Sequence, residues 1–393
     1  MSARLLLSCG EASGDLYAGA LVRALRALDP EVAVAGLGGP QFAAAGGRLI
    51  DDYRQLAVTG LTEAVSKIPR SLAAFRRLVR AAAADRPDAL VAVDFPDFNF
   101  RLARAIKRLG VPVVYYISPQ IWAWRPGRLA TMKRIADRVL VIFPFEASIY
   151  EQGGVPVEFV GHPLVDLTAP SSPRRQFLAA HGLSPAAPTV AILPGSRRNE
   201  VSRILPDLLT AAAQIRAAVP DAQFVVARAP HLDDDLFAVS AMVSDTRADT
   251  ARIVTVEAET DAVLASSDVA LTASGTATVQ AALHDTPMVI VYRLSPMTYR
   301  LGRRLVTVGM IGMVNLIAGE QIVPELVQDA FTPDAVAREA VALLTDRHRA
   351  ARVRAGLARV RARLGGSGAS RRAAEAILRV VSHRSSVGSR TGG

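Results

Sequence analysis

Acids, an amide, hydroxyls, arginine and tryptophan are not spread evenly along this chain of 393 residues; they bunch in short segments that also carry glycine or proline. Gly10-Glu11-Ala12-Ser13-Gly14-Asp15 is a turn of small residues that exposes backbone N–H groups beside two carboxylates. Ser13 is placed to cap the helix that follows, with the acids favoured at its positive end. The spacing is not the G-x-G-x-x-G of a dinucleotide loop. Asp94-Phe95-Pro96-Asp97-Phe98-Asn99 sets two carboxylates and an amide within six residues. Carboxylates at a strand exit can move a proton in a transfer reaction, and the alternative is that Asp97 or Asn99 caps the next helix. Asp94 stands too far ahead of that helix to cap it, so proton transfer is the expectation there.

Ser118-Pro119-Gln120-Ile121-Trp122-Ala123-Trp124 holds both tryptophans of the chain. Trp122 and Trp124 have two readings, core packing and contact with a sugar or acyl chain. Farther on, Leu193-Pro194-Gly195-Ser196-Arg197-Arg198 and Ala273-Ser274-Gly275-Thr276-Ala277-Thr278 each join a strand to a helix. Glycine lets a ligand approach the backbone, a helix N-terminus favours an anion, and Arg197 adds charge-assisted donors. Together these two loops point to a ligand bearing a pyrophosphate. Neither has the Gly-Lys-Ser/Thr of a P-loop, which disfavours ATP hydrolysis. The six histidines are scattered without metal-ligand spacing, so no metal is expected. Gly-x-Ser-x-Gly is absent, which removes the nucleophilic hydrolases.

The elements that must position these residues read as strands at Leu5–Ser8, Val32–Leu37, Ala89–Asp94, Val111–Ile117, Val139–Phe143 and Val157–Val160, separated by helical stretches. A second series follows at Thr189–Leu193, Gln223–Arg228, Arg252–Thr255, Val269–Thr272 and Met288–Val291. Strands apolar throughout belong in parallel sheets covered on both faces. The expected fold is therefore α/β, with two Rossmann-like, doubly wound parallel-sheet domains, 1–168 and 186–332. A Ser- and Pro-rich hinge lies between them, helices fill 333–382, and 385–393 is a disordered tail. Ligands in such sheets bind beyond the carboxyl ends of the strands, where every segment named above falls.

Half of the residues are hydrophobic and 21% are charged, enough for sizeable cores and too few charges for a disordered chain. The net charge of +10 is carried entirely by residues 346–393, where 12 Arg face only Asp346 and Glu375. The rest is neutral, so no general nucleic-acid footprint is present. The single cysteine, Cys9, allows no intrachain disulfide and reads as a core thiol. No export signal and no transmembrane stretch are expected.

In order along residues 5 to about 345, Gly10-Glu-Ala-Ser-Gly-Asp15, Asp94-x-Pro-Asp-Phe-Asn99, Ser118-Pro-x-x-Trp-Ala-Trp124, Phe143-Pro-Phe-Glu146, Val160-Gly-His-Pro-Leu164, Leu193-Pro-Gly-Ser-Arg197, Ala273-Ser-Gly-Thr-Ala277 and Asn315-Leu-x-Ala-Gly319 resemble the signature of the lipid-A-disaccharide synthase family. The resemblance implies a GT-B glycosyltransferase, its two domains facing across a cleft. The reaction it implies is inverting and metal-independent, needing no cofactor: UDP-2,3-diacylglucosamine is joined to 2,3-diacylglucosamine 1-phosphate (lipid X), releasing UDP. By the same resemblance Ser196, Arg197, Ser274, Gly275, Thr276, Gln280 and Asn315 hold UDP. Asp94 and Glu11 face the reacting sugars, with either as the base, and Ser13, Asp97, Asn99, Trp122 and Trp124 lie toward the acceptor. The first domain is then the acceptor and membrane side, the second the donor side, and the C-terminal helices pack back toward an N-terminal domain, with a homodimer left open. Glutamate is usual in the family where this chain has Gln280, so weaker UDP binding is expected here, and Gln280→Glu is expected to tighten it.

The implied substrates are acylated, which suggests a cytoplasmic protein attached peripherally to the inner membrane. Ile68, Leu72, Phe75 and Val79 recur at helical spacing beside Arg70, Arg76, Arg77 and Arg80. That stripe is either a sheet-covering face or a membrane-binding one. Two rival readings stand against the family: another UDP-sugar enzyme of the same fold, and a non-catalytic basic protein binding lipid or nucleic acid. The first would lack the Asp94–Asn99 and Trp122–Trp124 segments, and the second would leave the acidic loops unexplained.

Overall fold

The computed structural model describes residues 2–56, 61–119, 127–230, 232–238, 253–293 and 310–388, with the backbone alone at 61–68 and 383–388. The chain forms two compact units, Met1–Asp166 with Leu364–Gly393, and Leu167–Arg363.

The first unit is built on seven parallel strands, β1 (Arg4–Ser8), β2 (Ala33–Gly38), β3 (Arg48–Asp52), β4 (Ala89–Val93), β5 (Val113–Tyr116), β6 (Arg138–Val141) and β7 (Val157–Phe159). Their order is β3-β2-β1-β4-β5-β6-β7. The central strands are apolar and buried throughout, Ala89–Val93 and Val113–Tyr116 without exception, as helices on both faces require. The second unit repeats the plan with β8 (Thr189–Leu193), β9 (Gln223–Arg228), β10 (Ile253–Glu257), β11 (Val269–Ala273), β12 (Met288–Tyr292) and β13 (Glu325–Val327), in the order β10-β9-β8-β11-β12-β13. In each sheet the winding reverses once, between β1 and β4 and between β8 and β11. A crevice opens at such a reversal because the two flanking helices depart to opposite faces.

β3 and β13 are not foreseen from the sequence. Both are edge strands, and Arg-Leu-Ile-Asp-Asp and Glu-Leu-Val carry the charges that edges tolerate and central strands do not. The C-terminal helices also divide. Pro333–Thr345 packs on Arg198–Ala218 in the second unit, and Arg347–Arg363 stays there too, with Arg361 paired to Asp285 at 2.7 Å. Only Ala369–Gly388 returns to the first unit, against Ala12–Leu28. Its start is pinned at Asp166, whose carboxylate accepts the N–H groups of Gly368 and Ala369, and at Arg372, which donates to the carbonyls of Val160, Gly366 and Ser367. The last helix runs on to Gly388, into the segment expected as tail, and 389–393 lie outside the described residues.

Helix Leu61–Asp85 covers the first sheet through Ala74, Leu78 and Ala82, all buried. Phe75 and Val79 pack against the same core, Phe75 edge-on to Phe98 at 6.4 Å. Leu72 is 44% exposed, so the proposed stripe splits: its later members belong to the core side of the helix and Leu72 to the surface. The Ile68 side chain lies outside the described residues.

Candidate active site at the strand exits

The exits of β1 and β4 are neighbours, with Ser8 paired to Ala92 in the ladder. The two loops touch: a Cβ added at Gly10 would lie 2.1 Å from the Phe95 ring, so only glycine lets the first loop pass the second. Asp94 and Phe95 are consecutive non-glycine residues in the left-handed region, with φ of 42° and 50°. Such backbone costs on the order of 1–3 kcal/mol per residue and persists only where its surroundings enforce it. They do so here. Asn99 Nδ2 donates to the Asp94 carbonyl at 2.8 Å, Tyr115 Oη donates to the same oxygen at 2.7 Å, and the Asp94 N–H reaches Tyr116 O at 3.1 Å. The Asp94 side chain is left half-buried at the sheet's ligand edge.

Asn99 is fully buried, and its amide also contacts Ser8 and Val93 carbonyls while its Oδ1 accepts the Ser8 hydroxyl at 2.7 Å. It is framework, and the expectation that it faces an acceptor is corrected. Neither Asp97 nor Asn99 caps the helix Pro96–Arg108, whose N-cap position is Phe95. Asp97 is exposed in the first turn and pairs with Arg128 at 3.2 Å. Ser13 does not cap either: the helix begins at Ala12 with Glu11 in the N-cap position, exposed, and Ser13 is already inside the first turn. Asp15, passed over as a site residue, is buried and accepts the N–H groups of Gly39, Gln41 and Phe42 at 2.8–3.0 Å, tying the β2 exit to this helix. Trp122 and Trp124 lie outside the described residues.

Two further reactive side chains are withdrawn from chemistry by burial. The Cys9 thiol is held well above its ordinary pKa by burial and by Asp15 and Asp52. His162, enclosed beside Phe143 and Tyr17, has its pKa lowered to about 3 by burial, and its Nδ1 accepts the Leu164 N–H. It is neutral at physiological pH.

In the second unit the β8 exit turns through Gly195, with φ of 120°, where a Cβ would come within 2.6 Å of Glu200. Glu200 accepts the Ser196 N–H at 3.3 Å and Arg197 Nη1 at 3.2 Å, which places Arg197, half-exposed, over the start of Arg198–Ala218. Arg198 is paired instead with Asp233 and Asp235. Beside this loop, across the pairing of Leu193 with Thr272, β11 leads into the helix Thr276–Leu283. Gly275 and Thr276 are exposed, no side chain caps this start, and a Cβ at Gly275 would meet nothing within 4 Å. Open N–H groups at a helix start suit a phosphate. The Ser274 hydroxyl donates to Ile311 O at 3.3 Å. Ile311 and Gly312 are in turn held by the Glu325 carboxylate, which also accepts from Asn315 Nδ2 at 2.6 Å. Asn315 is fully buried with its Oδ1 taking the N–H groups of Ile322 and Val323, so it too shapes the loop behind the site rather than facing a ligand. Gln280 lies one turn into the same helix and donates to Asp261 at 3.0 Å. The sequence offered no signal for Glu325 or Asp261.

A family model described as lipid-A-disaccharide synthetase matches residues 5–380. The lipid-A-disaccharide synthase of Geobacter sulfurreducens is 43% identical over 382 residues, covering 97% of this chain and 98% of the relative. That of Koribacter versatilis is 45% identical over 381 residues, covering 96% and 97%. Among solved structures, UDP-GlcNAc 2-epimerase from Neisseria meningitidis bound to UDP-GlcNAc aligns with a TM-score of 0.69 at 11% identity, over 96% of this chain and all of that one. The calicheamicin glycosyltransferase CalG4 aligns with a TM-score of 0.60 at 16% identity, over 97% and 98%. At those identities the structures speak for the two-domain GT-B fold alone.

Proposed function

The chain belongs to the lipid-A-disaccharide synthase family, and from that premise we propose how its two strand-exit sites share the reaction. The enzyme is a hexosyltransferase that joins UDP-2,3-diacylglucosamine to 2,3-diacylglucosamine 1-phosphate through a β-1,6 linkage and releases UDP. Inversion needs one direct attack by the acceptor 6-hydroxyl on the anomeric carbon, and the hydroxyl proton must leave as that bond forms. Asp94 takes the proton. Its backbone is locked by Asn99 and Tyr115, so its carboxylate is presented from a rigid strand end, and positioned proton transfer contributes about 10²–10⁴-fold. Glu11, exposed at the neighbouring exit, orients the acceptor.

The departing diphosphate develops charge that Arg197 and the open helix start at Gly275 and Thr276 offset. Ser196 and Ser274 line the same pair of exits, and Asn315 acts from behind by fixing the loop on which Ile311 sits. The observation that carries this reading is the coincidence of both constellations with the winding reversals, β1/β4 and β8/β11.

Among the described residues no helix is long and apolar enough to cross a membrane. Access to acylated substrates is by peripheral attachment to the cytoplasmic face of the inner membrane, through Leu72 and the exposed Arg70, Arg76 and Arg80. Trp122 and Trp124 remain candidates for the acyl or sugar contact. The direct test is UDP release from the acylated donor with and without lipid X: release that depends on lipid X is expected, and equal release in its absence would overturn the reading.

A further inference from the structure

Thr276, Gln280 and His284 follow one another at intervals of four residues and so share one face of the helix Thr276–Leu283 and its cap. Thr276 stands at the open end, and Gln280 lies about 6 Å farther along the axis. Against this face sits Asp261, from the short helix Thr260–Ala265. Its Oδ1 takes two hydrogen bonds, from Gln280 Nε2 at 3.0 Å and His284 Nε2 at 3.0 Å. The His284 side chain is 8% exposed and that of Asp261 25%, so the pair is anchored on the inner side and open on the other. Among the described residues no protein donor reaches the second oxygen, Oδ2.

Two acceptor oxygens on hydrogen-bonded neighbours are therefore left over, one turn from a phosphate-receptive helix start. With its NH2 end spent on Asp261, Gln280 presents Oε1; Asp261 presents Oδ2. A vicinal diol carries two O–H donors and suits such a pair, and in a nucleoside diphosphate the ribose diol follows the diphosphate at this range. We propose that Asp261 is a ribose-recognising residue of the UDP site, carrying the negative charge of a Gln280–Asp261 pair and orienting the Gln280 amide. The inference rests on the reading that UDP binds at the β8 and β11 exits, and it gives the neutral Gln280 a charged partner.

The test is calorimetric titration of UDP and of 2′,3′-dideoxyuridine 5′-diphosphate into the wild-type enzyme, Asp261→Asn, and Asp261→Asn combined with Gln280→Glu. Asparagine keeps the shape and an Oδ1 acceptor for Gln280 and His284 but turns an N–H2 toward the diol. Asp261→Asn is expected to weaken UDP by about 10- to 100-fold, the range for hydrogen bonds to a charged group, and to leave the dideoxy analogue nearly unchanged. Moving the carboxylate to position 280 in the double variant restores most of the loss. Equal weakening of UDP and analogue, or unchanged UDP binding, in Asp261→Asn would overturn the pair. A wild-type enzyme that binds neither nucleotide would instead overturn the UDP-site reading, and the pair with it. Comparing two ligands on one variant makes the readout independent of any change in folding.

Discussion

Asn99 Nδ2 lies 2.8 Å from the carbonyl oxygen of Asp94, so the amide of one residue holds the backbone of the other in a left-handed turn. The same amide grips Ser8 on the neighbouring strand, which makes the relative placement of two strand exits depend on one buried side chain. Asn99→Ala removes the clamp and strands the Ser8 hydroxyl. Turnover is expected to fall at least about tenfold with UDP affinity unchanged, and unfolding free energy to drop by about 1–3 kcal/mol for the orphaned groups. Steady-state kinetics with parallel urea unfolding checks this; lost stability with normal turnover would leave Asn99 a purely structural residue.

Asp94→Asn keeps the turn's shape and removes the proton acceptor. Turnover is expected to fall by at least about 10²-fold with UDP binding and folding intact. Near-normal turnover there, together with collapse in Glu11→Gln, would transfer the base role to Glu11.

His162 sets a pH dependence of stability. Its folded pKa, about 3, lies below the ordinary 6.5, because burial disfavours the charged ring. Between those values the unfolded chain binds a proton that the folded chain refuses, so stability is full above about pH 6.5 and declines with acidification, by up to about 1.4 kcal/mol per pH unit. His162→Asn, which cannot titrate, should show a shallower decline between pH 6.5 and 4.5 in denaturant unfolding. Parallel profiles for the two proteins would refute the assignment.

Gln280→Glu looks, from residue types alone, like a gain in affinity for UDP. The contact with Asp261 argues for the opposite outcome, because a glutamate there would put a second carboxylate within hydrogen-bond distance of Asp261. Two such groups share one proton or repel. Calorimetry is therefore expected to show no tightening relative to wild type; tightening would show that the carboxylates avoid one another.

The proposed membrane attachment would separate the two halves of the apolar stripe. Leu72→Ser should reduce co-sedimentation with anionic vesicles and leave thermal stability nearly unchanged, since Leu72 is exposed. Phe75→Ser should lower stability by about 3 kcal/mol or more, through the lost contact with Phe98 and the core. Binding of the wild type should weaken as salt rises. Vesicle binding indifferent to both salt and Leu72→Ser would remove this helix from the membrane contact.

Apolar runs broken by glycine-containing turns made both parallel sheets legible in the sequence, and placed Asp94, Glu11, Arg197 and the Ser274–Thr276 start at strand exits, because strand periodicity and turn chemistry are properties of neighbours in the chain. The edge strands β3 and β13 escaped that reading: a strand covered on one side only can be short and charged. Which polar side chains face a ligand was decided by the fold. Asn99 and Asn315 have the residue type of ligand groups, yet both are fully buried and their amides are spent on the protein. The contact of Asn99 with Ser8 spans 91 residues of chain, and that of Gln280 with Asp261 spans 19. Hydrogen-bond partners across elements depend on register and packing between helices and strands, which no local pattern carries, so the sequence determined which strand exits form the candidate site and only the tertiary structure determined which of their polar side chains are buried in the framework.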